Sequence, residues 1–196
     1  RGTTWNPVND FAPTLRVSSL SQNHFRHNEY YYTAGVNRYE NNVLLNDLFR
    51  SIDGGITFSQ VTPATTPAIG TIDKLICSPA DPNTVYFLQR LGANSTFGAL
   101  YRTTDNFATF QKVFFIYGVI PRDFILLPGG EVVITSDNKV WSSQTGDPGS
   151  FLLSNNGIAA GIYNLHVAVC ESQTDIRYAA GNFANNKIAV FKTTDA

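Results

Sequence analysis

The chain has 196 residues, of which 43% are hydrophobic and 13% aromatic, enough for one folded domain with a sizeable core and too apolar for a disordered chain. Charged residues make up 15%, the net charge is −1 and no basic run occurs, which excludes an electrostatic grip on nucleic acid. No apolar stretch approaches the roughly 20 residues that a membrane-spanning helix requires.

Along the chain, apolar residues come in runs bounded by Gly, Pro, Asn and Asp, the pattern of strands rather than helices. Residues 1–10 hold one such run, "TTWNPV", read as a lone outer strand. Residues 11–62 offer "TLRVSSL", "EYYYTAG", "DLFRSI", an Asp-Gly-Gly turn and "ITFSQV". Residues 63–115 repeat the order with "DKLICS", "TVYFLQ", "ALYRTT", an Asp-Asn-Phe turn and "ATFQKV". Residues 116–156 give "DFILL", "EVVITS", "KVWSS", a turn at Gly146–Gly149 and "SFLLS". Residues 157–196 give "LHVAV", "IRYAAG" and "AVFKTT", a unit without its outer strand. Four antiparallel strands repeated in one order predict an all-β β-propeller of four-stranded blades, with about four blades present.

The spacing agrees. Phe110 lies 52 residues after Phe58, and Phe151 lies 41 after Phe110, against about 40–50 for propeller repeats. The first blade carries its surplus in "SQNHFRHNEYYYTAGVNRYENNVLLN", read as a polar-aromatic insertion. "GTTW" at Gly2–Trp5 looks like the back half of a repeated turn motif and "KTTDA" at Lys192–Ala196 like its front half. Either the first strand closes a four-bladed ring, or the chain is a slice of a larger propeller. The absence of methionine and the break of both ends within one motif favour the slice, with the rest of a larger propeller as partner.

The motif itself is "SIDGGITF" at Ser51–Phe58 and "TTDNFATF" at Thr103–Phe110. It resembles the Asp-box, Ser/Thr-x-Asp-x-Gly-x-Thr-Phe/Trp, of sialidases, xyloglucan-cleaving hydrolases, sortilin-type receptors and secreted bacterial propellers. Ser51, Asp53, Gly55, Thr57 and Phe58 match it fully. Thr103, Asp105, Thr109 and Phe110 match in the second copy, where Phe107 stands at the glycine. A third copy keeps Ser142 and Phe151 loosely, and a fourth shows Thr193 and Asp195. A carboxylate of this kind accepts backbone N–H groups of a tight turn, and Gly55 permits a positive φ. The resemblance implies that the boxes lie away from any substrate face, so they are expected to be turn staples.

Chemistry is harder to find. His24 and His27 in "HFRH" lack a third ligand, Cys77 and Cys170 lack close-spaced partners, and no metal or cofactor is expected. The two cysteines read as free thiols, with a disulfide between them left open. A sialidase-like site needs three converging arginines; Arg16, Arg38, Arg90, Arg122 and Arg177 lie in or near first and second strands. Its Arg-containing string is absent, "VIPRD" having the wrong order. A glycosidase needs two facing carboxylates, one with a raised pKa. Asp73 and Asp123 open inner strands at equivalent places in successive blades and so read as repeat features. His166 reads as a core or channel histidine.

Tyr30, Tyr31, Tyr32 and Tyr39 are candidates for stacking on sugar rings or anchoring a protein partner, set against the plainer reading that alternate tyrosines of a strand pack between blades. The expected function is therefore an exported or surface-displayed scaffold, structural or binding a carbohydrate or protein ligand. The alternative is a glycoside hydrolase with part of its catalytic site outside this chain.

Overall fold

Each strand of this computed structural model pairs antiparallel with the next one in sequence, and each group of strands ends where a longer connection begins. The structure describes residue 4 and residues 17–40, 43–61, 70–91, 97–170 and 172–194; the side chains of 34–40, 43–47, 70 and 91 lie outside the description, as does the run read as a lone outer strand apart from Thr4. The first sheet contains β1 (Val17–Gln22), β2 (Tyr30–Glu40), β3 (Val43–Ser51) and β4 (Ser59–Gln60). The second contains β5 (Gly70–Cys77), β6 (Val85–Leu91), β7 (Phe97–Thr103) and β8 (Gln111–Phe114). The third contains β9 (Asp123–Leu126), β10 (Val132–Thr135), β11 (Val140–Ser143) and β12 (Leu152–Leu153). The fourth contains three described strands, β13 (Ile162–Cys170), β14 (Gln173–Phe183) and β15 (Ile188–Thr193).

Turn chemistry fixes these hairpins. Between β9 and β10, Leu127 N donates to Glu131 O at 2.9 Å and Gly130, at φ 91°, closes the bend. The stretch read as an insertion in the first sheet is a correction. It is a long β2–β3 hairpin, with the register shifting between Ala34 and Arg38. Three consecutive tyrosines followed by Thr33, and Val36 beyond them, supply a β-rich run, so the extra length extends the ladder.

The first strands β1, β5, β9 and β13 lie side by side in that order, so the sheets stack in sequence around a common inner edge. Three cores fill the spaces between them. Tyr31 and Leu48 of the first sheet meet Leu75, Phe87, Tyr101 and Phe107. Leu88, Leu100 and Phe114 of the second meet Phe124, Ile134 and Trp141 of the third. Leu127 and Val133 meet Val167, and Val140 packs on Leu165 and Phe191. Each buried side chain of this size stabilises by about 1.5–3 kcal/mol.

Candidate functional site

The repeated turns hold their carboxylates for themselves. In the first, Thr57 N donates to Asp53 Oδ1 at 2.9 Å, Thr57 Oγ1 to Oδ2 at 2.5 Å and Ser51 Oγ to Oδ1 at 2.7 Å. Gly55 N donates to Ser51 Oγ at 2.9 Å. In the second, Thr109 N and Oγ1 donate to Asp105 at 2.9 and 2.6 Å, and Phe107 N donates to Thr103 Oγ1 at 3.0 Å. The Thr57 hydroxyl, then its amide, then the Ser51 hydroxyl push Asp53 down to about 2. Asp105 is lowered first by the Thr109 hydroxyl and then by the Thr109 amide.

The backbone of the two turns is alike although the residues differ. Gly54 and Gly55 have φ of 79° and 89°, and Asn106 and Phe107 have 56° and 68°. A non-glycine left-handed residue costs roughly 1–2 kcal/mol. Phe107 offsets that by leaving only 2% of its surface exposed, its ring 5.6 Å from Tyr31 and 6.0 Å from Phe87. In the third turn Ser143, rather than Ser142, takes the place of Ser51. Its Oγ accepts Gly146 N at 2.8 Å and meets Ser150 Oγ at 2.5 Å, a direct hydroxyl contact replacing the carboxylate. Thr193 ends β15; Asp195 lies outside the described residues.

Tyr31 and Tyr32 are buried, at 1% and 5% exposure, and present no ring to solvent. Alternation on a central strand sends Tyr31 toward Phe107 and Tyr32 onto Phe49, the latter stacked at 4.7 Å. Both build the core, as the packing reading has it, and neither is placed to stack on a ligand. Burial, then a hydrogen bond to Glu29, raises the Tyr31 pKa far above the ordinary tyrosine value. Tyr30 is half-buried and its hydroxyl accepts Gln22 Nε2 at 3.0 Å; the Tyr39 side chain lies outside the described residues. Glu29 also pairs with Arg26 at 2.5 Å and Arg50 at 2.8 Å, stapling the β1–β2 turn, on which His24 and His27 stand exposed.

Along the inner edge, one carboxylate joins three sheets. Asp123, at the start of β9, accepts Lys74 Nζ of β5 at 2.6 Å through Oδ1. Its Oδ2 accepts Val167 N of β13 at 3.2 Å and lies 3.3 Å from His166 Nδ1. The His166 side chain is 65% exposed while Asp123 is buried behind it. Asp73 sits at the β5 bulge and pairs with Arg90, so it is not the equivalent of Asp123. Arg122 pairs with Asp137 at 2.7 Å and Arg177 with Glu131 at 2.7 Å. Arg90, Arg122 and Arg177 thus each serve a different carboxylate and do not converge; Arg16 and the Arg38 side chain lie outside the described residues. Among the described residues, no group of three or more His, Cys, Asp or Glu is arranged to hold a metal ion. Cys77 is a buried thiol outside any disulfide, pushed up to about 11 by burial.

Sequence reasoning missed the Lys74–Asp123–His166 set because its members come from three repeats. It also missed Tyr117, 81% exposed beside Gly118, where an aromatic before a turn glycine was the available signal. A cleft of about 710 Å³ lies between the third and fourth sheets, lined by Val140, Val167, Arg177 and Phe191. In the first three sheets Phe58, Phe110 and Phe151, each directly before a fourth strand, pack against buried clusters.

No protein family and no curated protein matches the chain. Solved structures do. YCF48 bound to D1 peptide matches with a TM-score of 0.55 at 19% identity, over 89% of this chain and 48% of that one. The GH74 enzyme of Niastella koreensis matches at 0.58 and 14% identity, over 91% of this chain and 37% of that one. The GH74 xyloglucanase of Xanthomonas campestris matches at 0.53 and 11%, with the same coverage of 91% and 37%. The fold is a β-propeller. Its four sheets are blades, and the chain spans less than half the length of these three propellers. Among the described residues, no helix is long and apolar enough to cross a membrane.

Proposed function

We propose that this propeller segment is a non-catalytic binding scaffold of the Asp-box kind, exported or displayed at a surface. Its carbohydrate or protein ligand lies on the face opposite the Asp-box turns, and the rest of a larger propeller is its partner. The observation that carries this reading is the state of the inner-edge carboxylates. Asp73, Asp123 and Asp137 are each taken up in an ion pair, with Arg90, Lys74 and Arg122 respectively. Glycoside cleavage needs a carboxyl kept protonated to donate to the leaving group. Among the described residues, the aspartates whose pKa departs from the ordinary value, Asp53, Asp81, Asp105 and Asp147, are lowered rather than raised. The peptide bound to YCF48 and the xyloglucanase among the similar structures are consistent with either ligand class.

The test uses the complete polypeptide in affinity electrophoresis through gels carrying β-glucans, with reducing-sugar release measured in parallel. Retardation, or binding of a peptide in place of a glucan, without sugar release is the expected result. Sustained release of reducing ends from a β-glucan or sialic acid from a sialoside overturns the non-catalytic reading.

A further inference from the structure

The connection from β8 to β9 carries an aromatic that the core does not use. Val119 N donates to Ile116 O at 3.1 Å, closing a four-residue turn in which Gly118 has a φ of 75°. That pattern is a type II turn, with glycine where the backbone must be left-handed and Tyr117 at the corner before it. Tyr117 is 81% exposed, yet its ring rests against Phe97 at a centroid distance of 5.0 Å and an angle of 38°. The turn fixes the backbone at Tyr117 and the Phe97 ring touches its side chain, while most of the Tyr117 ring stays open to solvent.

The base of this turn is seated as well. A Cβ on Gly98 would come within 2.6 Å of Pro121 Cδ, so the connection packs against the start of β7 at a position only glycine leaves open. Gly98 pairs in register with Arg90, and Arg90 is ion-paired to Asp73. Directly after Pro121, Arg122 pairs with Asp137. The aromatic ring and the two arginine–aspartate pairs therefore lie at the same end of the second and third blades, linked through the Gly98–Pro121 contact.

We propose that Tyr117 is a stacking platform for a neutral sugar ring, with the Arg90–Asp73 and Arg122–Asp137 pairs as its polar rim. The inference rests on the binding-scaffold reading above and names the ligand class within it. Charge decides between ligands. Each pair has zero net charge and offers N–H donors beside carboxylate acceptors, which suits neighbouring hydroxyls that both donate and accept. A polyanion would meet two carboxylates, and a basic segment two guanidinium groups. A pyranose has an apolar C–H face for the ring and hydroxyls at its edge for the rim.

The experiment is calorimetric titration of the complete polypeptide with cellohexaose, laminarihexaose and mannohexaose. Polygalacturonate and a proline-rich dodecapeptide serve as contrasting probes, and melting temperature is recorded for every variant. At least one neutral hexamer is expected to bind. Tyr117→Ala should weaken that binding at least tenfold with an unchanged melting temperature, and Tyr117→Trp should retain it. Arg90→Gln, which keeps donors but breaks the ion pair, should weaken it by a smaller factor. Equal binding by Tyr117→Ala overturns the platform while leaving a binding scaffold in place. Binding of polygalacturonate or the peptide alone, or of none of the probes, overturns the neutral-sugar assignment; only hexamer hydrolysis overturns the scaffold reading too.

Discussion

Two of the seams between neighbouring blades are built from different chemistry. The seam between the first and second blades carries no ion pair among the described residues; the charged group that crosses it, Arg26, donates to Pro82 O at 2.5 Å and Asn83 Oδ1 at 3.3 Å. Ser18 donates to Ile72 O at 2.7 Å, Ser19 accepts Leu75 N and Ser21 accepts Cys77 N, each at 3.0 Å, above a core of Tyr31, Phe87, Tyr101 and Phe107. The seam between the third and fourth is ionic. Glu131 takes both terminal nitrogens of Arg177 at 2.7 Å, Asp123 takes Val167 N, and Thr135 Oγ1 donates to Leu165 O at 2.5 Å. Aromatic area stabilises the first seam whatever the partner groups' charge. The second depends on groups that are costly to leave alone, so losing one member harms it more than losing both.

The largest expected effect comes from breaking the ionic seam. Glu131→Ala strands Arg177, which is only 12% exposed, and should cost about 3–5 kcal/mol in urea unfolding. Glu131→Leu combined with Arg177→Met should recover most of that loss; a double variant no better than the single would sink the description. A smaller effect is expected at the first seam. Phe107→Gly removes a buried ring, worth about 3–5 kcal/mol, but relieves roughly 1–2 kcal/mol of backbone strain. The net loss should be about 2–3 kcal/mol, insensitive to added salt.

The smallest effect concerns acid. Asp53 has a folded pKa near 2 against an ordinary 3.8, so its contribution to stability is present above the ordinary value and fades as pH falls from about 4 toward 2. Asp53→Asn should therefore melt below the wild-type chain at pH 6 and together with it at pH 2. A melting gap that widens on acidification would contradict the staple.

The blade order was legible because each strand is a short apolar run closed by Gly, Pro, Asn or Asp, and this grammar recurs in all four units. The turn staples were legible for the same reason: donors and acceptor lie within one motif of eight residues. For Tyr31 and Tyr32 the sequence left packing and ligand stacking both open, because composition cannot distinguish a tyrosine whose hydroxyl meets a buried Glu29 from one that faces water. Ser143 was missed in favour of Ser142 because two adjacent serines leave the strand register ambiguous by one residue, and one residue flips the face. Lys74, Asp123 and His166 lie 49 and 43 residues apart along the chain, a distance over which no local pattern speaks.

The Phe107 turn has a consequence for how such repeats can be exchanged. Because the carboxylate and the Ser or Thr hydroxyl secure the bend, the glycine site was open to another occupant, and the second blade uses it as a wedge driven into the first. The wedge fits a socket made by Tyr31. Transplanting this blade behind a neighbour without that socket would leave a large ring unsupported, so copies that look alike in sequence are not interchangeable modules.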